Sequence, residues 1–255
     1  MNVLSLQSGS NGNCIYVEAG ATRLLLDAGI SGRQAETRLA ERGRDIRDVT
    51  AVVVSHDHSD HARCVGVFQR KFGLPVHATS VTLRAANAKL GLGRLDDVRP
   101  FAAGDVLAFD GLRVRTIPTP HDGADGVAFV LDDGRRRLGV LTDLGHCFDG
   151  LGEVIAGLDA VLVESNYDPE MLETGPYPAH LKRRIRGRGG HLSNEESAGL
   201  VKAWASPRLR WVCLGHLSQQ NNEPGLALAV HRQTVGRYLP VHVASRYHVG
   251  DLLEI

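Results

Sequence analysis

Three histidines and two aspartates crowd into residues 56–61, directly after the apolar run 51–54. Alternate side chains at the end of a strand point the same way, and the turn that follows can add further groups. Neutral imidazole nitrogens and carboxylate oxygens are the ligands that borderline divalent metals prefer. The run His-x-His-x-Asp-His therefore predicts a strand that ends at a site for two metal ions.

Three more ligand-type residues, His121, Asp143 and His216, each come just beyond a predicted apolar strand. Functional residues commonly lie on loops at strand ends, where a rigid scaffold holds them. If these strands end at one edge of a sheet, the three groups meet the first cluster in one cleft. A lone histidine after a strand is ordinarily a surface or capping residue, so a metal role for His121 or His216 depends on the first cluster.

The seven groups suffice for two ions. The expected ligands of one ion are His56, His58 and His121, and those of the other are Asp60, His61 and His216. Asp143 is expected to bridge the two ions. Such a site leaves coordination positions open for a water that two cations would activate. Asp57 is expected to point away from the ions, toward a structural partner. Both Zn²⁺ and Mn²⁺ accept these ligands, so the choice of metal stays open.

The composition excludes some classes of protein. The 255 residues are 43% hydrophobic and carry a formal net charge of zero, so overall charge gives no attraction to nucleic acid or to a membrane. The four cysteines form no Cys-x-x-Cys pair, which is typical of reduced thiols in the cytosol. No run approaches the roughly 18 apolar residues of a membrane span, and the first residues lack a secretory pattern. We expect a cytoplasmic protein with no membrane partner.

The order of predicted elements suggests two similar halves within a single domain, residues 1–255. Helices are predicted from Ser31 and from Ser193, each with a capping box, and across residues 60–72 and 223–238. Asp-Gly pairs at 110–111, 125–126 and 133–134 predict turns within a series of strands. Two sheets packed face to face with helices outside would satisfy this order, which makes the fold class α+β.

The chain resembles the metallo-β-lactamase-fold superfamily, whose members share a four-layer αββα sandwich and whose binuclear zinc hydrolases carry His-x-His-x-Asp-His. Several segments narrow the resemblance to the YycJ/WalJ-type nucleases: residues 8–13, 164–167, 177–185, 190–194 and 215–222. The resemblance implies a 5′→3′ exonuclease acting on double-stranded DNA, with a role in DNA repair.

The segment Gly190–Ser193, followed by Glu196, is also similar to the Gly-His-Ser-Thr motif of ribonuclease Z. In that relative the histidine assists phosphoester cleavage, so the resemblance implies a catalytic role for His191 beside Asp60. The alternative is that His191 precedes a helix cap and contacts solvent. Asp143 stands where many zinc β-lactamases have cysteine, and an oxygen bridge suits phosphoester chemistry better than antibiotic hydrolysis.

The densest basic run in the chain lies just before His191. Lysine and arginine neutralise phosphates without regard to sequence, although a solvated helix face is the usual role of such a run. The expected substrate-binding residues are Lys182, Arg183, Arg184, Asn221 and Asn222.

The resulting hypothesis is a two-metal phosphodiesterase, most simply a DNA exonuclease. Asp60 would orient the attacking water and His191 would protonate or stabilise the leaving oxygen. One alternative is a small-molecule hydrolase of the same fold, either a cyclic phosphodiesterase or a glyoxalase II-like thioesterase. Another is a module that binds nucleic acid without cutting it. The substrate is expected to be DNA in preference to RNA, while polarity, exo or endo cutting and oligomeric state stay open.

Overall fold

The computed structural model describes residues 1–255 and contains two seven-stranded β-sheets. The strands of the first sheet are β1 (Asn2–Gln7), β2 (Cys14–Ala19), β3 (Thr22–Leu26), β4 (Ala51–Val53), β5 (Val76–Thr79), β6 (Val98–Phe101) and β14 (Leu253–Glu254). They lie in the order β14-β1-β2-β3-β4-β5-β6. The strands β3 to β6 run parallel to one another, whereas β14, β1, β2 and β3 pair antiparallel.

The second sheet repeats this plan. Its strands are β7 (Val106–Phe109), β8 (Leu112–Pro118), β9 (Val127–Asp132), β10 (Arg137–Leu141), β11 (Ala160–Glu164), β12 (Trp211–Gly215) and β13 (Val241–Val243). Their order is β13-β12-β11-β10-β9-β8-β7, with β7 to β10 antiparallel and β10 to β13 parallel. The turns at Asp110-Gly111 and Asp133-Gly134 join hairpins, as the sequence predicted.

The structure contains nine α-helices. They are α1 (Gly32–Ala40), α2 (Ser59–Ala62), α3 (Val65–Phe72), α4 (Ser80–Leu90), α5 (Leu151–Ala156), α6 (Pro169–Thr174), α7 (Ala179–Arg186), α8 (Asn194–Trp204) and α9 (Pro224–Val235). Of these, α1, α3, α4, α5, α8 and α9 pack on the outer faces of the sheets. A 3₁₀ turn spans Ile46–Asp48. Both predicted capping boxes form, Ser31 with Gln34 on α1 and Ser193 with Glu196 on α8.

The alternation of side chains along each strand builds three apolar layers. Leu24 and Leu26 of β3 face the second sheet and meet Phe129 and Leu131 of β9 there. Leu25, between them, faces outward and packs in the layer formed with α1, α3 and α4. A third layer joins the outer face of the second sheet to α5, α8 and α9. The predicted four-layer αββα sandwich is confirmed.

The predicted helix over residues 60–72 is wrong in one respect, because two helices, α2 and α3, occupy this stretch and the helix is interrupted between them. Ala28 donates its N–H to the carbonyl of His61 and accepts from the N–H of Cys64, so this stretch bonds to a neighbouring loop instead of continuing a helix. The break leaves Asp60 and His61 on the four-residue helix α2. The predicted helix over 223–238 also ends early, at Val235, where Gly236 adopts a φ of 86°.

The edge strands β6 and β14 were not predicted from the sequence. Val98, Arg99 and Pro100 of β6 are all exposed, and proline is tolerated only at a sheet edge or bulge, so the pattern lacks buried alternation. No helix in the structure is both long enough and apolar enough to cross a membrane.

Candidate metal centre

The predicted ligands lie at one edge of the sandwich. The loop 54–61 follows β4, the loop that carries His121 follows β8, and Asp143 and His216 follow β10 and β12. Parallel strands end at the same edge of a sheet, so β10, β11 and β12 deliver their following residues to one place. All seven residues expected from the sequence meet there.

Two neighbouring groups of three side chains have the spacing of metal ligands. One group is His56, His58 and His121, and the other is Asp60, His61 and His216; within each group the ligand atoms lie within 4.8 Å of one another. The Nε2 atom of His121 is 3.3 Å from Nδ1 of His58. The Nε2 atom of His216 is 3.2 Å from Oδ2 of Asp60.

Asp143 lies between these groups. Its Oδ2 is 3.2 Å from Nε2 of His61, and its Oδ1 is 3.6 Å from Nε2 of His121. Asp143 is 3% exposed, so its charge is held out of water. A carboxylate in this position could bridge two cations.

Two buried side-chain atoms without hydrogen-bond partners show that the cluster fits a metal. The Nε2 atom of His56 and the Oδ2 atom of Asp143 are buried and make no hydrogen bond of acceptable geometry. A buried polar atom without a partner costs about 1–3 kcal/mol, and a bound divalent cation would satisfy both atoms. Nitrogen and carboxylate donors of this kind suit a borderline divalent ion.

A second set of contacts orients the histidines. Nδ1 of His61 is 2.7 Å from Oδ2 of Asp27, and Nδ1 of His121 is 2.8 Å from the Gly190 carbonyl. Nδ1 of His56 is 2.9 Å from the Ser55 hydroxyl. In each case the outer nitrogen is engaged and Nε2 faces the centre of the cluster, as in histidines that ligate metals.

The backbone is strained where the cluster is built. Asp27, Asp143 and His216 have φ values of 66°, 56° and 55°, in the left-handed region that side chains other than glycine rarely adopt. Each follows a buried strand, so the chain turns sharply to aim the side chain inward. Strain of this kind persists only where the surrounding structure enforces it, and it is typical of functional sites.

The electrostatics of the cluster balance carboxylates against imidazoles. Burial opposes protonation of His216, but Asp143, Asp60 and Glu164 outweigh burial and raise its pKa to about 10. Burial opposes ionisation of Asp60, yet His61 and His216 lower its pKa to about 2. Burial and the neighbouring His61 lower the pKa of His56, which keeps this imidazole neutral. These shifts keep the carboxylates ionised, which is the state in which their oxygens can ligate a divalent cation.

His191 lies beside this cluster, at the wall of a cleft of about 360 Å³ that also contains His58, Asp60, Asp143 and His216. Its Nδ1 is 2.7 Å from Oε1 of Glu164. Glu164 is fully buried, and its other oxygen accepts the N–H groups of Leu144 and Leu192 at 3.3 and 3.1 Å. Burial disfavours ionisation of Glu164, but the adjacent His191 outweighs this and lowers its pKa to about 2.

Asp27 and Glu164 are parts of the site that sequence reasoning missed. Asp27 follows the last residue of β3, and Glu164 is the last residue of β11. Asp143 and His216 have similar places after β10 and β12. That shared placement was the available signal. Asp57 does point away from the cluster, as expected: it is fully buried, accepts the N–H of Ala124 at 2.6 Å and pairs with Lys89 of α4.

The predicted substrate-binding residues divide into two groups. Arg184 of α7 lines the cleft and forms a bidentate pair with Asp122 at 2.6 and 2.9 Å. Lys182 faces away and bonds to the Glu173 carbonyl, whereas Arg183 is exposed and makes no ion pair.

Asn221 and Asn222 are buried instead of presented to the cleft. The side-chain amide of Asn222 donates to the carbonyls of Ser165 and Asn166, and its oxygen accepts the N–H of Glu223. The Asn221 amide donates to the Ser218 hydroxyl at 3.2 Å. Asn222 thus ties the loop after β12 to the loop after β11, and Asn221 bonds within the loop after β12. Both side chains are engaged inside the protein, which argues against direct substrate contact.

Comparison with known proteins agrees with this fold. A model of the Beta-lactamase superfamily domain matches residues 22–217. Exodeoxyribonuclease YycJ of Bacillus anthracis is 36% identical over 250 residues, which cover 98% of this chain and 92% of that protein. Exodeoxyribonuclease WalJ of Streptococcus pneumoniae is 36% identical over 226 residues, covering 87% and 83%. The solved metallo-beta-lactamase fold protein YhfI of Bacillus subtilis superposes with a TM-score of 0.74 at 15% identity, covering 98% of each chain.

A double-sheet sandwich with histidines and carboxylates converging at one edge defines an enzyme of the metallo-β-lactamase type, suited to a divalent metal. The chain belongs to the β-lactamase superfamily and, within it, to the family of the YycJ and WalJ exodeoxyribonucleases. The family resemblance read from the sequence is confirmed.

Proposed function

We propose that this protein is a metal-dependent DNA exonuclease that digests double-stranded DNA from the 5′ end. The observation that carries the proposal is a complete set of seven ligand-type side chains with the Glu164–His191 pair beside it, in a chain 36% identical to two exodeoxyribonucleases. We propose His56, His58, Asp60, His61, His121, Asp143 and His216 as ligands of two divalent ions, Zn²⁺ or Mn²⁺.

Two bound divalent cations would supply Lewis acidity, offset the charge of a phosphodiester and favour ionisation of water at neutral pH. The protein's own residues supply position and proton transfer. Asp60, at the cleft floor, would orient the attacking water through a carboxylate oxygen. The Glu164 carboxylate engages Nδ1 of His191, which leaves Nε2 to donate a proton to the leaving oxygen.

The walls of the cleft favour a polyanionic substrate. Arg184 and Leu181 of α7 form one wall, and the exposed Arg183 extends positive charge beyond it. Such side chains give affinity for phosphates without sequence preference. We further propose a cytoplasmic location and a role in DNA repair, since removal of a strand from its 5′ end is a step that excision repair requires.

Digestion of end-labelled duplex DNA, single-stranded DNA and RNA with Zn²⁺ and with Mn²⁺ tests this function. The proposal expects progressive loss of a 5′ label from duplex DNA as short products, with activity abolished in His58→Ala and Asp60→Ala. His242→Ala, at an exposed position on β13, is the matched control and should digest DNA normally. Turnover that survives in both ligand variants would contradict the proposal. Cleavage of only cyclic phosphodiesters or thioesters would support the small-molecule alternative.

A further inference from the structure

A second cavity adjoins the cleft. It has a volume of about 370 Å³ and lies between the loop after β12 and the segment after β13. Ser218 lines both this cavity and the cleft, so the two spaces are neighbours across one residue. Pockets of roughly 300–1,000 Å³ are the usual size for small ligands.

Arg246 places a positive charge at the junction of the two spaces. Its guanidinium lies under the loop 8–13, donating to the Leu217 carbonyl, to Oδ1 of Asn11 at 3.2 Å and to the Ser10 hydroxyl at 3.4 Å. Ser10 itself lines the cleft. A β-carbon at Gly9 would lie 2.9 Å from Nη2 of Arg246, and Gly9 has a φ of 151°, a backbone conformation that favours glycine.

Arg246 has no carboxylate partner. Each of its hydrogen-bond acceptors is neutral, and it forms no ion pair, unlike Arg184 of the cleft, which pairs with Asp122. Burial makes its positive charge less favourable, which lowers the pKa of Arg246 from its usual value. A half-buried guanidinium held by neutral groups at the mouth of a site built for phosphate chemistry is suited to receive an anion.

The rest of the cavity suits a base and a sugar. Leu217, Pro224 and Val243 give it an apolar lining. Tyr247 stands at its rim, 54% exposed, with its hydroxyl accepting a hydrogen bond from Gln219 at 3.0 Å. Aromatic residues are only 5% of the chain, and an anchored exposed tyrosine is a platform on which a base can stack.

We infer that this cavity is an end pocket that holds the terminal nucleotide of the digested strand, with Arg246 contacting its 5′-phosphate and Tyr247 stacking on its base. The inference rests on the proposed nuclease function and adds to it a preference for 5′-phosphorylated ends. Since one nucleotide fills the pocket while the next phosphodiester lies in the cleft, the pocket would also set the release of single nucleotides.

Equilibrium binding tests the pocket without turnover. The probe is a short duplex with hydrolysis-resistant phosphorothioate linkages that ends in either a 5′-phosphate or a 5′-hydroxyl, titrated with metal-replete protein. Wild type should bind the phosphorylated end about tenfold more tightly, and Arg246→Gln should remove that difference. Arg47→Gln is the matched control, because Arg47 is exposed and precedes β4, at the end of that strand away from the cleft.

A second variant tests the pocket independently, in case the loss of Arg246 alters the structure. Tyr247→Ala should weaken binding of both ends about tenfold, the effect of one lost base stack, whereas Tyr238→Ala, at a fully exposed tyrosine, should not. Equal affinity of wild type for both ends, or a retained difference in Arg246→Gln, would overturn the inference. Absence of any DNA digestion would instead refute the proposed function, and the binding result would still decide the pocket.

Discussion

Nδ1 of His191 lies 2.7 Å from Oε1 of Glu164, and the remaining oxygen of that carboxylate is held by two backbone N–H groups. The imidazole is therefore oriented by a group that cannot rotate away. The Gly190 backbone carries a further constraint, because its carbonyl accepts from His121. One short segment thus positions both a proposed ligand and a proposed proton donor.

This geometry predicts different outcomes for the two residues. His191→Ala should lower kcat on duplex DNA by about 10²–10⁴-fold, the usual contribution of a general acid, while metal content stays at the wild-type level. Glu164→Gln should lower kcat by about 10–100-fold with little change in KM, since it disturbs orientation but not binding. Loss of bound metal from His191→Ala would show that His191 is a ligand, against this account.

Asp57 and Lys89 provide a prediction about stability. Asp57 is fully buried beneath the ligand loop, and Lys89 reaches it from α4. Lys89→Met should lower the free energy of unfolding by about 1–3 kcal/mol, because it leaves a buried carboxylate without its cation. Urea denaturation measures the change.

The control for that measurement is Lys71→Met. Lys71 pairs with Glu36, and both side chains are largely exposed, at 48% and 41%. Its loss should change stability by no more than about 0.5 kcal/mol. Equal effects from the two lysines would show that Asp57 does not depend on Lys89.

Gly29 and Gly199 form a contrasting pair. A β-carbon at Gly29 would lie 1.7 Å from the carbonyl oxygen of Asp60, whereas one at Gly199, within α8, would meet nothing within 4 Å. Gly29→Ala should displace the ligand turn, destabilise the protein by more than about 3 kcal/mol and reduce metal uptake. Gly199→Ala should stabilise the helix by roughly 0.5–1 kcal/mol. Thermal melts and metal analysis would reveal a contradiction if Gly29→Ala behaved like wild type.

His231 makes stability depend on pH in a defined direction. It is fully buried in α9, its Nδ1 has no partner, and burial lowers its pKa to about 4. In the unfolded chain the histidine has a pKa near 6.5, so it takes up a proton at a pH where His231 of the folded protein stays neutral. The contribution of His231 to the free energy of unfolding is therefore lost as pH falls from about 6.5 to 4. The full loss is about 3 kcal/mol.

Urea denaturation at pH 7 and pH 5 measures this effect. The drop in stability between the two values should be smaller in His231→Gln than in wild type. His242→Gln, at an exposed position, should leave the drop unchanged. An identical drop in wild type and His231→Gln would contradict the assignment.

The sequence predicted the fold and the meeting of seven side chains because both follow from local pattern. Strand alternation, Asp-Gly turns and capping boxes at Ser31 and Ser193 are local signals, and each appears in the structure. The His-rich run indicated a metal site at the end of one strand, and His121, Asp143 and His216 were expected to meet it there because each also follows a strand.

What the sequence did not reveal depends on contacts between distant segments. Asp27, directly after β3, supports His61 from 34 residues earlier in the chain, and its place at a strand end does not identify His61 as its partner. Asn222 looks like a surface residue but is buried by contacts with the loop after β11. Arg246 acquires its position only when the last segment folds against the loop 8–13.

The number of metal ions bound per chain decides whether these seven side chains form a two-metal site. Elemental analysis of protein purified without added metal, then dialysed against Zn²⁺ or Mn²⁺, should give two divalent ions per chain. The same analysis of Asp143→Asn and His58→Ala should give fewer. A wild-type protein that contains no divalent ion and takes up none would contradict the account.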